Sequence, residues 1–344
     1  MKPKVSVVVV TYNSEHTLEP CLRSVAQTVY DNFETILVDD GSTDETVECA
    51  RRLQKSVPNL SVVRSDSNVG AAAARNRGAL SARGRYLAFL DSDTEVDPSW
   101  LTDPISTMEA DPRIAVIQCK LMLMTDRDKY DYAGDYLSQF GFLTQVVRTG
   151  QHDDGTVFGT DVFGVKSAGM IINREVFFAS GKFDEDFFIY LEETDLCWRV
   201  WFHGYRVHFI PTSIVYHNFG DIRKLSSQRT KFLSKYYGSR NYVTMLLKNP
   251  GAWQAMRIIP IHLLLWSGII LWHTFRRRFV EAQWVAYGVL NNAARFKETW
   301  KKRLLVQGSI RRIGDRELEP FIMKRMPLAY FYQKLTHQDS GWNL

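Results

Sequence analysis

The sequence predicts an α/β protein built on a doubly wound, mostly parallel sheet and followed by a basic helical region. Short β-branched runs alternate with helical periodicity through the first third of the chain, and three of these runs stop at a polar or acidic cluster. Charge divides the chain unevenly: residues 1–219 hold 21 Lys+Arg against 31 Asp+Glu, and residues 220–344 hold 22 against 7. An acidic body with a basic tail implies two regions, 1–219 and 220–344, the second meeting something anionic.

Val5 to Val10 is a nearly continuous β-branched run, the signature of a strand buried on both faces. Leu18, Cys21, Leu22 and Val25 then recur at helical spacing over about 17–27. Phe33 to Val38 reads as a second strand, after which Thr43-Asp44-Glu45 supplies the capping and first-turn acids of a second helix. Leu60 to Arg64 is a third strand, 69–83 an Ala-rich helix, and Tyr86 to Leu90 a fourth strand. This β-α-β-α-β-α-β order is that of a doubly wound sheet. Ligands of such sheets bind outside the carboxyl ends of the strands, so clusters 11–14, 39–42 and 91–93 are expected to converge. Beyond them, strands are expected over 114–124, 167–173 and 207–216, with a Gly- and Asp-rich mobile loop over 148–161 and a helix from 192. Segment 126–135 is polar and Tyr-bearing and yields no assignment.

Asp91-Ser92-Asp93 places two carboxylates at i and i+2 after a buried strand, an arrangement that can hold Mg²⁺ or Mn²⁺ beside phosphate oxygens. Alone, such a triplet is more often a turn. Its place at a strand end beside two other polar strand ends favours the metal. Asp40, at the end of the second strand, can accept hydrogen bonds from a pyrimidine or a ribose, or simply cap Gly41. Arg75, among small residues, faces a base or phosphate or forms a surface salt bridge. Glu192-Glu193-Thr194-Asp195 opens a helix. First-turn acids complement the helix dipole, as expected for Asp195, and one of the others can act as general base on an acceptor hydroxyl. His217, at the end of the last strand, is a candidate third metal ligand; a neutral imidazole suits Mn²⁺ better than Mg²⁺.

Together the stretches VSVVVVTYNSEHTLEPCLRSV (5–25), FETILVDDGSTDET (33–46), NVGAAAARNRGA (68–79), YLAFLDSDTEVDP (86–98), GKFDEDFFIYLEETDLCWRVWFHGYRV (181–207) and PTSIVYH (211–217) resemble the family 2 glycosyltransferases, whose fold is GT-A, and especially their rhamnosyltransferase-type branch. The resemblance implies an inverting transfer of a sugar from a nucleoside diphosphate to a hydroxyl of a glycan acceptor in surface polysaccharide or glycoconjugate assembly, with dTDP-rhamnose and UDP-sugars as donor candidates. It assigns Thr11, Tyr12, Asp40, Arg75, Asp91 and Ser92 to the nucleotide sugar, and Asp91, Asp93 and His217 to Mn²⁺ or Mg²⁺. It assigns Glu193 to the catalytic base, leaving Glu192 as a neighbour that competes for that role, with Glu192 and Asp195 on the acceptor side or in support.

The tail lies outside these motifs. Residues 258–272 are strongly apolar, shorter than the roughly 20 residues of a spanning helix, and interrupted by Pro260 and His262. Arg276-Arg277-Arg278 follow, then a second helical stretch over about 279–305 in which aromatic and basic residues alternate. That composition fits a helix at an anionic membrane surface, hence a lipid-linked acceptor and a cytoplasmic protein peripheral to the membrane. The bland reading is a helix pair packed on the catalytic domain or on a second subunit. No secretory signal and no metal spacing among Cys21, Cys49, Cys119 and Cys197 is visible, and a reducing compartment is expected. TYNSEH follows the first strand where a nucleotidyltransferase or a dinucleotide-dependent enzyme needs a Gly-rich loop. A non-catalytic scaffold and a nucleotidyltransferase are the remaining alternatives; the Trp and Leu runs of the tail fit lipid rather than nucleic acid.

Overall fold

The computed structural model describes residues 2–57, 59–218, 228–327 and 330. The proposed boundary at 219–220 lies outside the described residues. Apolar runs do form the strands, buried in β1 (Val5–Thr11), β2 (Phe33–Asp39) and β4 (Tyr86–Asp91) and partly exposed in β3 (Leu60–Arg64) at the sheet edge. They pair in parallel in the order β4-β1-β2-β3. Between them run α1 (Leu18–Ala26), α2 (Thr46–Leu53) and α3 (Ala71–Ser81). Because successive side chains point to opposite faces, Val8 joins one buried cluster while Val7 and Val9 join the other. Both faces of the sheet are therefore covered.

On the far side of β4 the sheet turns mixed. The strand β11 (Met170–Asn173) runs antiparallel to β4 and to β6 (Ile114–Leu123), and β12 (Arg206–His217) runs parallel to β6. Two antiparallel steps restore the direction, so the carboxyl ends of β12, β4 and β1 share one edge. A short β5 (Thr94–Val96) pairs with the end of β12, Thr94 opposite His217. It draws that histidine towards the Asp91–Asp93 turn.

Three sequence expectations need correction, and one unassigned segment takes on structure. The expected strand 167–173 starts only at Met170; Ser167–Gly169 form a 3₁₀ turn, held where Ser167 bonds a glutamate of the site. Segment 126–135 contains β7 (Asp126–Tyr132), whose mixed polarity follows from one exposed end and one buried end, and the start of β8 (Asp135–Ser138). The loop at 148–161 is tied down: Asp153 pairs with Lys120 and accepts the Tyr130 hydroxyl, and β10 (Thr160–Asp161) joins β12. The apolar run 258–272 lies inside one continuous 24-residue helix, Ala252–Phe275, that passes through Pro260. A proline removes one helical hydrogen bond, and here the helix is held by its tertiary seat instead.

Helices after the β12 end form a layer: α7 (Gln228–Lys248), α8 (Ala252–Phe275), α9 (Phe279–Ala294), α10 (Phe296–Leu305) and α11 (Asp315–Ile322), with α4 (Thr102–Ala110), α5 (Arg174–Ala179) and α6 (Glu192–Phe202) belonging to the sheet region. The stretch 279–305 is thus two helices that meet at Arg295. The helical layer shares the core of the sheet region. Phe142 packs on Tyr242, His262 and Trp266, all within the cluster that includes Phe89 and Val116 or seated against it. His262 bonds the Phe140 carbonyl and receives the Trp266 indole N–H. At Gly141 a Cβ would stand 2.8 Å from Leu246 and 2.9 Å from Ile258, so the glycine lets α7 and α8 close on this loop.

Candidate active site

The strand ends converge as their positions predict. Asp91, Asp93 and His217 offer ligand atoms that all lie within 4.8 Å of one another. His217 Nδ1 sits 2.8 Å from Asp131 Oδ2, which leaves Nε2 facing Asp93 Oδ1 at 3.6 Å. Burial opposes a charge on His217, but the carboxylates of Asp93 and Asp131 outweigh it and raise its pKa to about 9. Burial also raises Asp93, with His217 opposing. Asp131 is buried too, yet the charges of Lys166 and His217 hold it well below the usual carboxylate range. Two carboxylates and an imidazole whose far nitrogen is fixed by a third carboxylate are a donor set that fits a divalent cation.

Asp131 was not legible in the sequence. It comes from β7, 86 residues before His217, in a segment without a clear period.

Arg75 is neither at the surface nor facing outward. It is buried, with one guanidinium nitrogen 2.7 Å from Asp91 Oδ1 and another 2.6 Å from Glu192 Oε1. It ties the strand-end carboxylate to the helix that carries the candidate base. The small residues before it let α3 run close beneath the sheet edge, with Ala72, Ala73 and Ala74 buried.

Asp40 accepts hydrogen bonds from the backbone N–H groups of Val69 and Gly70 at 3.0 and 2.9 Å. The structure therefore gives this carboxylate a local role of its own, next to Thr11, whose hydroxyl is buried without a partner. Ser92 donates to the Ser14 hydroxyl at 2.8 Å. Tyr12 is half-buried, and the guanidinium of Arg229 from α7 lies 5.5 Å from its ring centre.

Glu192 and Glu193 differ in surroundings. Burial, then the charge of Glu193, push the Glu192 carboxyl well above the ordinary range, against the pull of Arg75. Glu193 accepts from the Ser167 backbone N–H at 3.2 Å and hydroxyl at 3.1 Å, which leaves its Oε2 without a hydrogen bond. Asp195, fully buried, receives Arg199, Lys248 and Asn249, so it joins α6 to α7 and the turn after it.

The loop before Glu192 is held from two sides. Phe188, Tyr190 and Leu191 all take positive φ, at 63°, 69° and 68°. From one side, Asn76 of α3 bonds the Phe183 backbone and Glu185, and Gly70 lets Phe188 approach; a Cβ there would stand 2.4 Å from that ring. From the other side, the Asn241 side-chain amide lies 3.0, 2.9 and 2.8 Å from the carbonyl oxygens of Phe187, Ile189 and Tyr190. Arg240 donates to Asp186 and Phe187 carbonyls. Asp184 takes Lys248 at 2.6 Å and also pairs with Lys302. Sequence reasoning missed Arg240 and Asn241, because a helix in a tail with no shared motif gives no sign that it meets a loop some 50 residues earlier.

Known proteins resemble parts of this chain. The uncharacterized glycosyltransferase YibD of Escherichia coli K12 is 35% identical over 116 residues, 34% of this chain and 33% of YibD. The O-antigen biosynthesis protein RfbC of Myxococcus xanthus is 33% identical over 214 residues, 60% of this chain and 16% of RfbC. The matched segment spans about a third of the length of the first curated relatives. Among solved structures, the mannosyltransferase PcManGT of Pyrobaculum calidifontis, in complex with GDP-Man and Mn²⁺, superposes with a TM-score of 0.53 at 16% identity, covering 85% of this chain and 88% of that one. At that identity the likeness bears on the fold, which is GT-A. Residues 6–175 match the profile described as Glycosyl transferase family 2, and through that domain the chain belongs to this family.

Proposed function

We propose that this protein transfers a glycosyl group from a nucleoside-diphosphate sugar to a hydroxyl of a glycan acceptor, with inversion, in surface polysaccharide or glycoconjugate assembly. The observation that carries the reading is the meeting of Asp91, Asp93 and His217 within 4.8 Å, joined through Arg75 to the helix that bears Glu193. The donor's base and ribose lie along Thr11, Tyr12, Asp40 and Ser92, at the carboxyl ends of β1, β2 and β4. The Arg229 guanidinium beside Tyr12 adds positive charge there. Asp91, Asp93 and His217 hold Mn²⁺ or Mg²⁺, with imidazole favouring Mn²⁺. When bound, that cation stabilises the negative charge that develops on the departing diphosphate.

Glu193 takes the acceptor proton. Ser167 fixes its Oε1, so the carboxylate is oriented before the acceptor arrives. The deprotonated oxygen attacks the anomeric carbon from the face opposite the diphosphate; the new C–O bond forms as the bond to the phosphate oxygen breaks. Glu192 is buried against the Arg75 guanidinium, and so acts as a support rather than as a base. The rhamnosyltransferase-type branch and a lipid-linked acceptor at the cytoplasmic face of a membrane complete the reading. RfbC's name, O-antigen biosynthesis protein, is consistent with such a glycan.

Calorimetric titration of UDP, dTDP, GDP and CDP, each with Mn²⁺ or Mg²⁺, tests this. One nucleotide is expected to bind only with metal, and Asp93→Asn is expected to lose that binding. If none of the four binds with either metal, the transferase reading fails.

A further inference from the structure

The helical layer leaves an apolar surface uncovered. Fifteen of the eighteen exposed large hydrophobic side chains among the described residues lie between Trp253 and Phe321. The helix α8 is apolar all round, as a core helix or a lipid-facing helix is. One stripe, Ala255, Ile258, His262, Trp266, Ile269 and His273, is buried against the rest of the molecule. The opposite stripe, Trp253, Met256, Leu264, Leu271 and Phe275, is exposed, Leu264 by 70% and Phe275 by 82%. The helix α9 packs beside α8 and exposes Phe279, Tyr287 and Leu290.

A patch this concentrated marks an interaction surface, and its charge indicates the partner. Residues 252–312 contain eleven Lys and Arg against two acids, Glu281 and Glu298. Arg257, Arg276, Arg277, Lys297 and Lys301 are exposed among the apolar side chains. Two copies meeting through this face would set like charge against like charge, whereas anionic headgroups complement it. The helix is long enough to cross a bilayer, but its buried stripe is seated on the catalytic region: His262 on the Phe140 carbonyl, Trp266 on Phe142, Ile258 against Gly141. A helix with one side packed on the catalytic region cannot be ringed by lipid.

We infer that the exposed faces of α8 and α9, with their arginines and lysines, seat the enzyme in the headgroup region of an anionic phospholipid bilayer without spanning it. Apolar side chains enter the acyl boundary while the basic ones meet phosphate, as in an interfacial helix. This inference is independent of the transfer chemistry.

Flotation of the full-length protein with phosphatidylcholine vesicles, with or without about a third phosphatidylglycerol, tests the inference. The protein is expected to float with the anionic vesicles, to float less as salt rises, and to be extracted by alkaline carbonate. Replacing Arg276 and Arg277 by Glu should lower partitioning at least fivefold per position, from the roughly 1 kcal/mol each basic side chain contributes. Leu264→Glu with Leu271→Glu should abolish it. Both variants should keep the melting temperature and nucleotide binding of the wild type, because these side chains face outward. Four results would each overturn the inference: failure of the wild type to float, equal binding to neutral vesicles, resistance to carbonate, or a stable dimer that Leu264→Glu disrupts while vesicle binding is absent. Nucleotide titration on the same preparations reports separately on the transferase reading.

Discussion

Asn241→Ala tests whether the helical layer positions the catalytic loop. Asn241 is fully buried, and its amide meets the carbonyls of Phe187, Ile189 and Tyr190. In the variant Phe187 keeps Arg240, while the carbonyls of Ile189 and Tyr190 lose the Asn241 amide. Two partly buried carbonyls without that donor cost about 2–4 kcal/mol. The loop they hold carries three non-glycine residues at positive φ, each costing about 1–2 kcal/mol. The donors removed are therefore comparable with the strain they restrain, so the loop should relax. Leu191 is the residue before α6, and any shift there carries Glu192 and Glu193 with it. A displacement of about 1 Å at a reacting group costs about a hundredfold. Asn241→Ala should accordingly lower kcat about a hundredfold and the melting temperature by about 5 °C, while nucleotide affinity stays within about threefold, because the donor-side residues sit on strand ends that Asn241 does not touch. Steady-state kinetics, thermal melting and calorimetry on one preparation give all three. A variant that melts earlier but keeps wild-type kcat would refute the reasoning.

Other perturbations separate the remaining roles. Glu193→Gln should lower kcat by about a thousandfold and leave nucleotide binding intact, whereas Glu192→Gln, which keeps an oxygen for Arg75, should cost no more than about tenfold; reversed effects would move the base to Glu192. Gly70→Ala should lower stability and kcat together, since its Cβ would meet Phe188 at 2.4 Å and its φ is +92°; an active, stable variant would show the close approach to be dispensable. Asp184→Asn breaks a buried contact with Lys248 and should cost about 3 kcal/mol at neutral pH by urea unfolding, Asp195 remaining beside that lysine. Burial alone would raise the Asp184 pKa, but Lys248 and Lys302 outweigh it and hold it below its ordinary value. Its stabilisation is therefore complete above the ordinary carboxylate value and fades as pH falls through the lowered one. The gap between wild type and Asp184→Asn should narrow below about pH 4; a constant gap would mean the charge is not what matters.

The parts legible in the sequence are those where chemistry and local pattern coincide. The parallel strands β1, β2 and β4 are apolar runs because they are buried on both faces, and their polar ends must lie at the sheet edge, so Thr11, Asp40 and Asp91 could be placed from pattern alone. His217 could be placed by the same logic, at the end of the last run. Asp131 could not: it lies on a strand that passes from exposed to buried within seven residues, and its partner is brought up by a distant register. For Arg75, pattern leaves a surface salt bridge open that burial excludes, for a related reason. Its helix has small residues on every side, and only the closed sheet edge shows that the guanidinium is enclosed between Asp91 and Glu192. In the tail, the sequence showed apolar and basic residues but not which side chains are buried. Pro260 looked like an interruption because helix propensity was weighed without the contacts of Ile258, His262 and Trp266 that hold the helix together.

The tail's two duties follow from one arrangement. Its inner surface meets the loop at 184–191 and Asp195 through Arg240, Asn241, Lys248 and Lys302, so the residues before Glu193 are fixed by the layer that also carries the apolar face. A strained loop of this kind persists only if its surroundings over-determine it, and α3 alone supplies one side of the clamp. The catalytic geometry proposed for Glu193 therefore depends on α7 being seated. Because α8 and α9 pack on α7, the outward-facing apolar surface and the clamp on the catalytic loop belong to one body. The layer is then better regarded as the second wall of the active site than as an attachment to it. Outward-facing changes at Leu264 or Arg276 and inward-facing changes at Asn241 should accordingly separate cleanly, the first altering where the enzyme sits and the second how fast it turns over.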